Sequence, residues 1–537
     1  MPLAITPPIH LTALLPELIV AVAGCVALLC GQGSRAVRQA IPWICVGGLV
    51  LAAALLRMHP SGGDAFEIEI RSGLALGYFG DFVRLAAVIL GVLFMLAGWC
   101  DPTEEEAGEY FSMAMFSLCG LMLLGSAADL LVLFLALEVV SIPTYIMVTL
   151  SRRNVRALEA GTKYFYLGAL SAAITAYGFS FLYGVAGSAT LDQASIDRII
   201  GALHDPSGTA YVFATVGLVL SILGLLFKIA AVPLHFYVAD VYQGASSPVA
   251  GLLGFVPKIA GLAAIIKLIS LTEWQTTSGG LFWMLWIVAA LSMTVGNVLA
   301  LRQTNIKRML AYSGIAHSGY MLVGLVAGPG GGTGVMGDGT AAVLYYAVIY
   351  GIANLGAFAL LGLLRVRGQA CETLRDVAGL IGKHPGLALL MALAMLTLMG
   401  FPPMPGFWGK LSLFGSALAA AGDAPDPTRP WIIGLVIVAV VNSAIGAAYY
   451  LRVTAAVLLY ENDEPAEPAP REAQHIGVIL CGILLLMFSV YPSLLLINSR
   501  NATSQLRARP AAAIVETAPP RRDLALVRDA RRLHADQ

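Results

Sequence analysis

The chain has 537 residues, of which 58% are hydrophobic and 12% charged, with a mean hydropathy of +0.80 and a formal net charge of zero. Charged content is about half the quarter usual in soluble domains, which excludes an ordinary soluble globular protein. The balanced charge gives no reason to expect nucleic acid or another polyanion as partner.

A membrane span needs about 20 apolar residues. In chain order such runs lie near 11–30, 40–58, 75–98, 110–127, 130–150, 160–184, 210–238, 248–270, 281–300, 309–328, 341–364, 386–420, 431–456 and 475–497. The first follows no basic region and no clear cleavage site, so it reads as a retained span. The expected fold is therefore an all-α polytopic membrane protein of about 14 transmembrane helices joined by short loops. Two spans, 210–238 and 386–420, are interrupted by proline, and paired broken spans in corresponding halves point to inverted repeats. We divide the chain into a three-helix segment (1–109), two inverted five-helix repeats (110–271 and 272–458), a last helix with its loop (459–500) and an Arg/Pro/Ala-rich tail (501–537). The tail has no sustained apolar period and reads as disordered or as a short surface helix.

Basic residues in short loops set orientation. Loops after odd-numbered spans carry Arg35 and Arg38; Arg152, Arg153 and Arg156; Arg302, Lys307 and Arg308; and Arg365, Arg367, Arg375 and Lys383. Loops after even-numbered spans carry only Arg57, Arg71, Arg198 and Arg429. The first set should face the cytoplasm of a cell inner membrane, with both termini outside. The arginines from Arg500 to Arg532 run against that count, but a tail beyond the last span weighs little beside many short loops.

The chemistry-bearing residues lie inside the apolar runs. In LFKIAAVPLHFYVADVYQGASSP (226–248), Lys228, the helix-breaking Pro233, His235 and Asp240 follow one another closely. A lysine in hydrocarbon and a proline that frees backbone groups are both costly, and a chain accepts them together where it lines a polar path. In MGFPPMPGFWGK (399–410), Pro402, Pro403 and Pro405 forbid regular helix just before Lys410. Glu138 lies mid-span, with Ser141 and Tyr145 on its helical face. Lys163, one span further, is its natural partner; the pair would stabilise both charges, and separating them would release a proton. Lys258 follows Pro257 in the next span, whereas Lys267, on the opposite helical face near the span end, reads as interfacial. Asp240, at the cytoplasmic end of its span, reads as loop-fixing. Glu17, Asp81 and Arg84 read as structural charges, the last two pairing at three residues' spacing.

The seven cysteines form no CxxC pair and show no metal-ligand spacing, so we read them as small buried hydrophobes and expect no metal or iron–sulfur ligation. The GTGVMG of Gly332–Gly337 matches a dinucleotide fingerprint, but it stands in a glycine-rich loop between spans with no strand before it, and reads as a connector.

The segments FLALEVVSIPTY, EAGTKYFYLGA, LLFKIAAVPLHFYVADVYQGASSPV, VPKIA, IKRMLAYSGIAHSGYMLVG and MGFPPMPGFWGK together resemble the antiporter-like membrane-arm subunits of respiratory complex I, most closely the N type. The resemblance covers most of the chain apart from the tail. It implies that Glu138 and Lys163 form the family's Glu–Lys pair, that Lys228 and Lys258 are its central lysines, and that Lys410 is its terminal one. It further implies a proton-translocating subunit of an NADH–quinone oxidoreductase with no redox centre of its own. NADH, FMN, iron–sulfur clusters and quinone would be bound by other subunits, and the chain's partners would be neighbouring membrane-arm subunits and the bilayer. Protons would pass along Glu138, Lys163, Lys228, His235, Lys258 and Lys410. The rival readings are a multisubunit cation/proton antiporter of the same fold and a scaffold that only assembles the arm.

Overall fold

A computed structural model describes residues 14–58, 74–75, 77–272, 279–329, 337–424, 427–462 and 466–507. The glycine-rich connector (apart from Gly337), Arg71, and the tail from residue 508 lie outside them.

In chain order the elements are α1 (Leu15–Cys30), α2 (Arg35–Met58), α3 (Tyr78–Ala97), α4 (Ala107–Ser126), α5 (Leu130–Leu150), α6 (Val155–Ala186), α7 (Gln193–His204), α8 (Thr209–Lys228), α9 (Val238–Gly244), α10 (Ser247–Ile269), α11 (Gly279–Leu301), α12 (Ile306–Ala327), α13 (Gly339–Leu363), β1 (Leu364–Val366), β2 (Gln369–Ala370), α14 (Leu380–Lys383), α15 (Pro385–Met399), α16 (Pro405–Asp423), α17 (Arg429–Leu459), β3 (Glu467–Pro468), α18 (Glu472–Val490) and α19 (Pro492–Arg507). Among the described residues, 12 helices are long and apolar enough to cross a membrane, and α1 and α15 are shorter apolar helices. With α15 continued by α16, these fill the spans expected from the sequence.

Burial follows composition. Helices apolar on every face belong inside, because no polar stripe asks for water. α10 and α13 are buried along their whole length, and α12 nearly so. α2, α5 and α17 turn residues such as Leu51, Leu131, Leu135, Ile437 and Val441 outward, as a lipid-facing surface requires. Side-chain caps satisfy the first free amides of several helices: Asp129 for α5, Asn154 for α6, Asn305 for α12 and Asp338 for α13.

The loops after odd-numbered spans gather at one end of the molecule. There Arg35 pairs with Glu104, Arg153 with Glu106 and Arg152 with Glu372, and β1 pairs antiparallel with both β2 and β3 in a small sheet ordered β2-β1-β3. At the other end, Thr503 of α19 donates to Asp338 at 2.6 Å, which ties the C-terminal helix down. The sheet, the amphipathic α7 and the separation of α19 from α18 at Tyr491 were not foreseen.

The two breaks are built alike. α8 ends at Lys228; Ala230 takes a left-handed φ of 61°, and the Ala231 amide reaches back to the Leu226 carbonyl at 2.9 Å. α15 ends at Met399; Gly400 takes a φ of 82°, and the Phe401 amide reaches the Leu396 carbonyl at 3.0 Å. Both are helix C-caps closed by a left-handed residue, and Pro233 and Pro403 stand equivalently after them, each preceded by a cis peptide bond. Proline explains why neither helix resumes at once; it has no amide to donate and its ring clashes with the preceding turn.

Two sequence expectations about buried charge need correction or extension. Lys267 is not interfacial. It is buried, and its ammonium donates to the carbonyls of Leu124, Gly125 and Ala127 at 2.9, 2.7 and 2.6 Å, closing the C-terminus of α4. The acceptors sit on a helix distant in sequence, so its role was invisible in α10 alone. Arg84 does meet Asp81 at 3.6 Å, but its shorter bond is to buried Glu17 at 2.6 Å, joining α3 to α1.

Candidate functional site

Glu138 is the ninth residue of α5, Lys258 the twelfth of α10 and His317 the twelfth of α12, so all three stand near the middle of their spans. Lys228 and Lys410 flank the two helix breaks. The residues therefore converge on one level although they come from five helices.

The Lys228 ammonium donates to Glu138 Oε1 at 3.3 Å and to Ser141 Oγ at 2.5 Å. Ser141 in turn donates to the Leu137 carbonyl, which aims its oxygen at the lysine. The expected Glu138–Lys163 pair is not formed. Lys163 bonds Glu159 at 2.6 Å and Asp240 at 3.0 Å, with its side chain 42% exposed. Two turns into the long α6, Lys163 faces the rim of the molecule, whereas the end of α8 delivers Lys228 to the buried side of α5. Asp240 also accepts from Arg308 at 2.8 Å, so it ties α9 to α6 and α12.

A cavity of about 10 Å³ separates Lys228 from Lys258 and is lined by Tyr164, Tyr237 and Tyr242. That is room for roughly one water. Beyond it, the Lys258 ammonium donates to the Gly314 carbonyl and to Ser318 Oγ (3.1 Å) and stands 4.8 Å from the centre of the Tyr350 ring. Ser318 also donates to the Ile229 carbonyl, and Ser292 Oγ accepts from the Val232 amide at 2.9 Å. Groups freed by the break are thus met by α11 and α12, as an unwound backbone inside a membrane demands.

His317 occupies the space between Lys258 and Lys410. Its Nδ1 lies 2.9 Å from Tyr346 OH and its Nε2 2.7 Å from Tyr450 OH, and its ring packs 4.8 Å from that of Tyr350. A neutral imidazole offers one donor and one acceptor, and a phenol can serve as either, so each ring nitrogen has a partner that fits it in either tautomer. The sequence reading missed His317. Its signal was present: an ionisable residue at the centre of an almost wholly buried span.

Lys410 ends the line. It donates to the Met399 carbonyl at 2.8 Å and to Ser443 Oγ at 2.9 Å, and lies 4.7 Å from the Tyr320 ring centre. A side chain on Gly400 would press on the Lys410 stem at 2.9 Å, so the absence of a Cβ there leaves room for the lysine. Tyr320 is itself held by Asn297, which donates to its hydroxyl at 3.1 Å and accepts from Tyr449 at 3.0 Å. Among the described residues neither Lys258 nor Lys410 has a carboxylate partner; carbonyl and hydroxyl dipoles and aromatic faces hold them instead.

His235 is buried beside the first break, but its Nδ1 finds no hydrogen-bond partner and it bonds neither lysine among the described residues. Ala230 and Pro233 turn the chain after Lys228, so the two residues do not share a helical face. Pro402, Pro403 and Pro405 form the second break as expected, with Pro405 opening α16. No group of three or more His, Cys, Asp or Glu that could hold a metal ion occurs among the described residues.

Residues 127–424 match a family model described as NADH:quinone oxidoreductase/Mrp antiporter, TM. The chain is 36% identical over 477 residues to NADH-quinone oxidoreductase subunit N of Trichlorobacter lovleyi, covering 86% of this chain and 89% of that protein. It superposes with a TM-score of 0.71 on a chain of respiratory complex I from Thermus thermophilus with bound aureothin, at 32% identity and covering 90% and 98% of the two chains. A chain of the Mrp complex from Dietzia sp. DQ12-45-1b shares the fold, with a TM-score of 0.77 at 19% identity, covering 93% and 98%. The chain belongs to the NADH-quinone oxidoreductase subunit N family.

Proposed function

We propose that this chain is a proton-translocating membrane subunit of a bacterial-type NADH–quinone oxidoreductase. The observation that carries the reading is the buried line Glu138–Lys228–Lys258–His317–Lys410, in which ammonium groups alternate with hydroxyls, a water-sized cavity and an imidazole–phenol trio. Such a line can shift protons by changing which lysine is charged. The pairing of Lys228 with Glu138 supplies one controllable position, because moving the carboxylate away would leave the ammonium desolvated. Lys163 and His235 flank the line as side branches, Lys163 at the rim with Asp240 and Glu159.

The chain works within an assembly of other membrane-arm subunits in the bilayer. NADH, FMN, iron–sulfur clusters and quinone belong to the other subunits, and redox energy arrives here as altered charge pairing. The end bearing Arg35, Arg152, Arg153 and Lys383 faces the cytoplasm, with both termini on the opposite side of the inner membrane. Residues 110–271 and 272–458 form inverted repeats; the like-built breaks at Ala230 and Gly400 support this. Under the alternative, a subunit of a multisubunit cation/proton antiporter, the same line would exchange cations without redox partners. The likeness to the Mrp chain is one of fold alone, whereas the one-third identity lies with the oxidoreductase subunits.

The test is deletion of the chain in its host, followed by assays on membranes. Quinone-linked NADH oxidation should disappear. Survival of that activity with loss of sodium tolerance would establish the antiporter reading, and an assembled Lys228→Ala complex that pumps normally would reduce the chain to a scaffold.

A further inference from the structure

At the loop-gathered end, a cavity of about 530 Å³ opens among the ends of four spans. Ser151 follows α5, Ser247 begins α10, Gly362 lies in the last turn of α13, and Arg471 immediately precedes α18. Helix ends mark the boundary between hydrocarbon and headgroups, so the cavity lies at the depth of lipid phosphates. Three guanidinium groups line it: Arg152, Arg365 and Arg471.

Their charges are not balanced. Arg152 is satisfied by Glu372 at 2.9 Å. Among the described residues Arg365 donates only to main-chain carbonyls, those of Gly362 and Leu364 at 2.6 and 2.9 Å. The Arg471 guanidinium makes no ion pair and no hydrogen bond among the described residues. The remaining carboxylate on the wall, Asp101, accepts from Ser246 Oγ and from Tyr110 at 3.1 Å rather than from an arginine. Burial pushes the Asp101 carboxyl up, which weakens it further as a counter-charge. Burial and then the neighbouring Arg471 lower the affinity of Arg365 for its proton, against an opposing pull from Cys371 and Asp101.

We propose that this cavity is a binding site for a phosphate-bearing anion, either an anionic phospholipid headgroup or free phosphate, held between Arg365 and Arg471. Planar guanidinium forks match phosphate oxygens two at a time. Ser247, the first residue of α10, adds its hydroxyl, its own amide and the positive end of a helix dipole on the same wall, while Pro248 has no amide and that of Val249 is taken by Ser246. A basic pocket between span ends on the cytoplasmic face is the environment in which anionic headgroups lodge.

The experiment is structure determination of the chain purified with its accompanying subunits in nanodiscs, under three conditions: phosphatidylcholine in chloride buffer, phosphatidylcholine with inorganic phosphate, and added phosphatidylglycerol in chloride. A phosphate-sized density between Arg365 and Arg471 with inorganic phosphate alone identifies free phosphate. The same density continuing into acyl chains with phosphatidylglycerol identifies a headgroup. Arg471→Gln should raise the ligand concentration for half-occupancy by about tenfold, with Arg471→Lys intermediate. Only water in the wild-type cavity under all three conditions, or a carboxylate of another subunit seated there, overturns the proposal, and these arms do not depend on the variants folding.

Discussion

Lys228 and Glu138, 90 positions apart in the chain, meet at 3.3 Å, while Lys163, the partner expected from the next span, turns to Asp240 at 3.0 Å. The ion pair of Glu138 therefore joins α5 to α8, not α5 to α6. Glu138→Gln should lower NADH-driven proton pumping by about tenfold or more in inverted vesicles, and Lys163→Ala should cost much less. Combining Glu138→Gln with Lys228→Ala should add little to either alone, because the two act as one unit. Equal, additive losses from Glu138 and Lys163 would contradict the assignment.

Among the described residues His317 stands between Lys258 and Lys410, bonded to Tyr346 and Tyr450. His317→Ala should leave the complex assembled and reduce pumping per unit of NADH oxidised by about tenfold, with Tyr346→Phe and Tyr450→Phe each milder, since either phenol alone still addresses one ring nitrogen. The check is the acidification signal normalised to NADH oxidation in the same vesicles. Undiminished pumping would remove His317 from the line.

Lys267 should matter for stability and not for transport. Its ammonium closes three carbonyls at the end of α4, and charge-assisted bonds of this kind contribute roughly 1.5–3 kcal/mol each before desolvation is charged against them. Lys267→Met should therefore destabilise the chain by about 2–4 kcal/mol, seen as less assembled complex on native gels. The complex that does assemble should pump normally per molecule.

The Glu17–Arg84 pair makes a sharper stability test, because both side chains are buried. Arg84→Met should cost about 3–5 kcal/mol by stranding a buried carboxylate, and changing Glu17→Met as well should recover most of it. Thermal unfolding of the purified complexes reads both. A double variant no better than the single one would mean that packing, not charge, dominates there.

Glu372 gives a pH dependence. Burial alone would raise its carboxyl, but the Lys307 ammonium, the Arg152 guanidinium and the Asn305 amide together hold it below its ordinary value of 4.5. A carboxylate lowered by folding contributes stability that is complete above that ordinary value and is lost as pH falls through the lowered one. Below about pH 4.5 the link between the loops after α5 and β2 should therefore weaken, and Glu372→Gln should show the weakened state at neutral pH with less further loss on acidification. Thermal unfolding across pH compares the two.

Sequence alone determined the membrane class, the spans and the two breaks, and it singled out four of the five residues of the proposed line, because each leaves a local mark. Apolar runs have a required length, proline has no amide to give, and a charge in hydrocarbon stands out against its neighbours. Partnership left no such mark. Lys163 and Lys228 look alike in their own segments; only the packing of α8 against the rest of the core, with its end at Lys228 set by the left-handed Ala230, decides which one reaches Glu138. Among the described residues His235 bonds neither lysine for the same reason, since the chain turns between Lys228 and His235. Lys267 became a helix cap, and Arg365 and Arg471 became the walls of one cavity, through contacts between segments more than 100 residues apart. Distances of that kind are set when helices pack, and no period or motif within a single helix carries them.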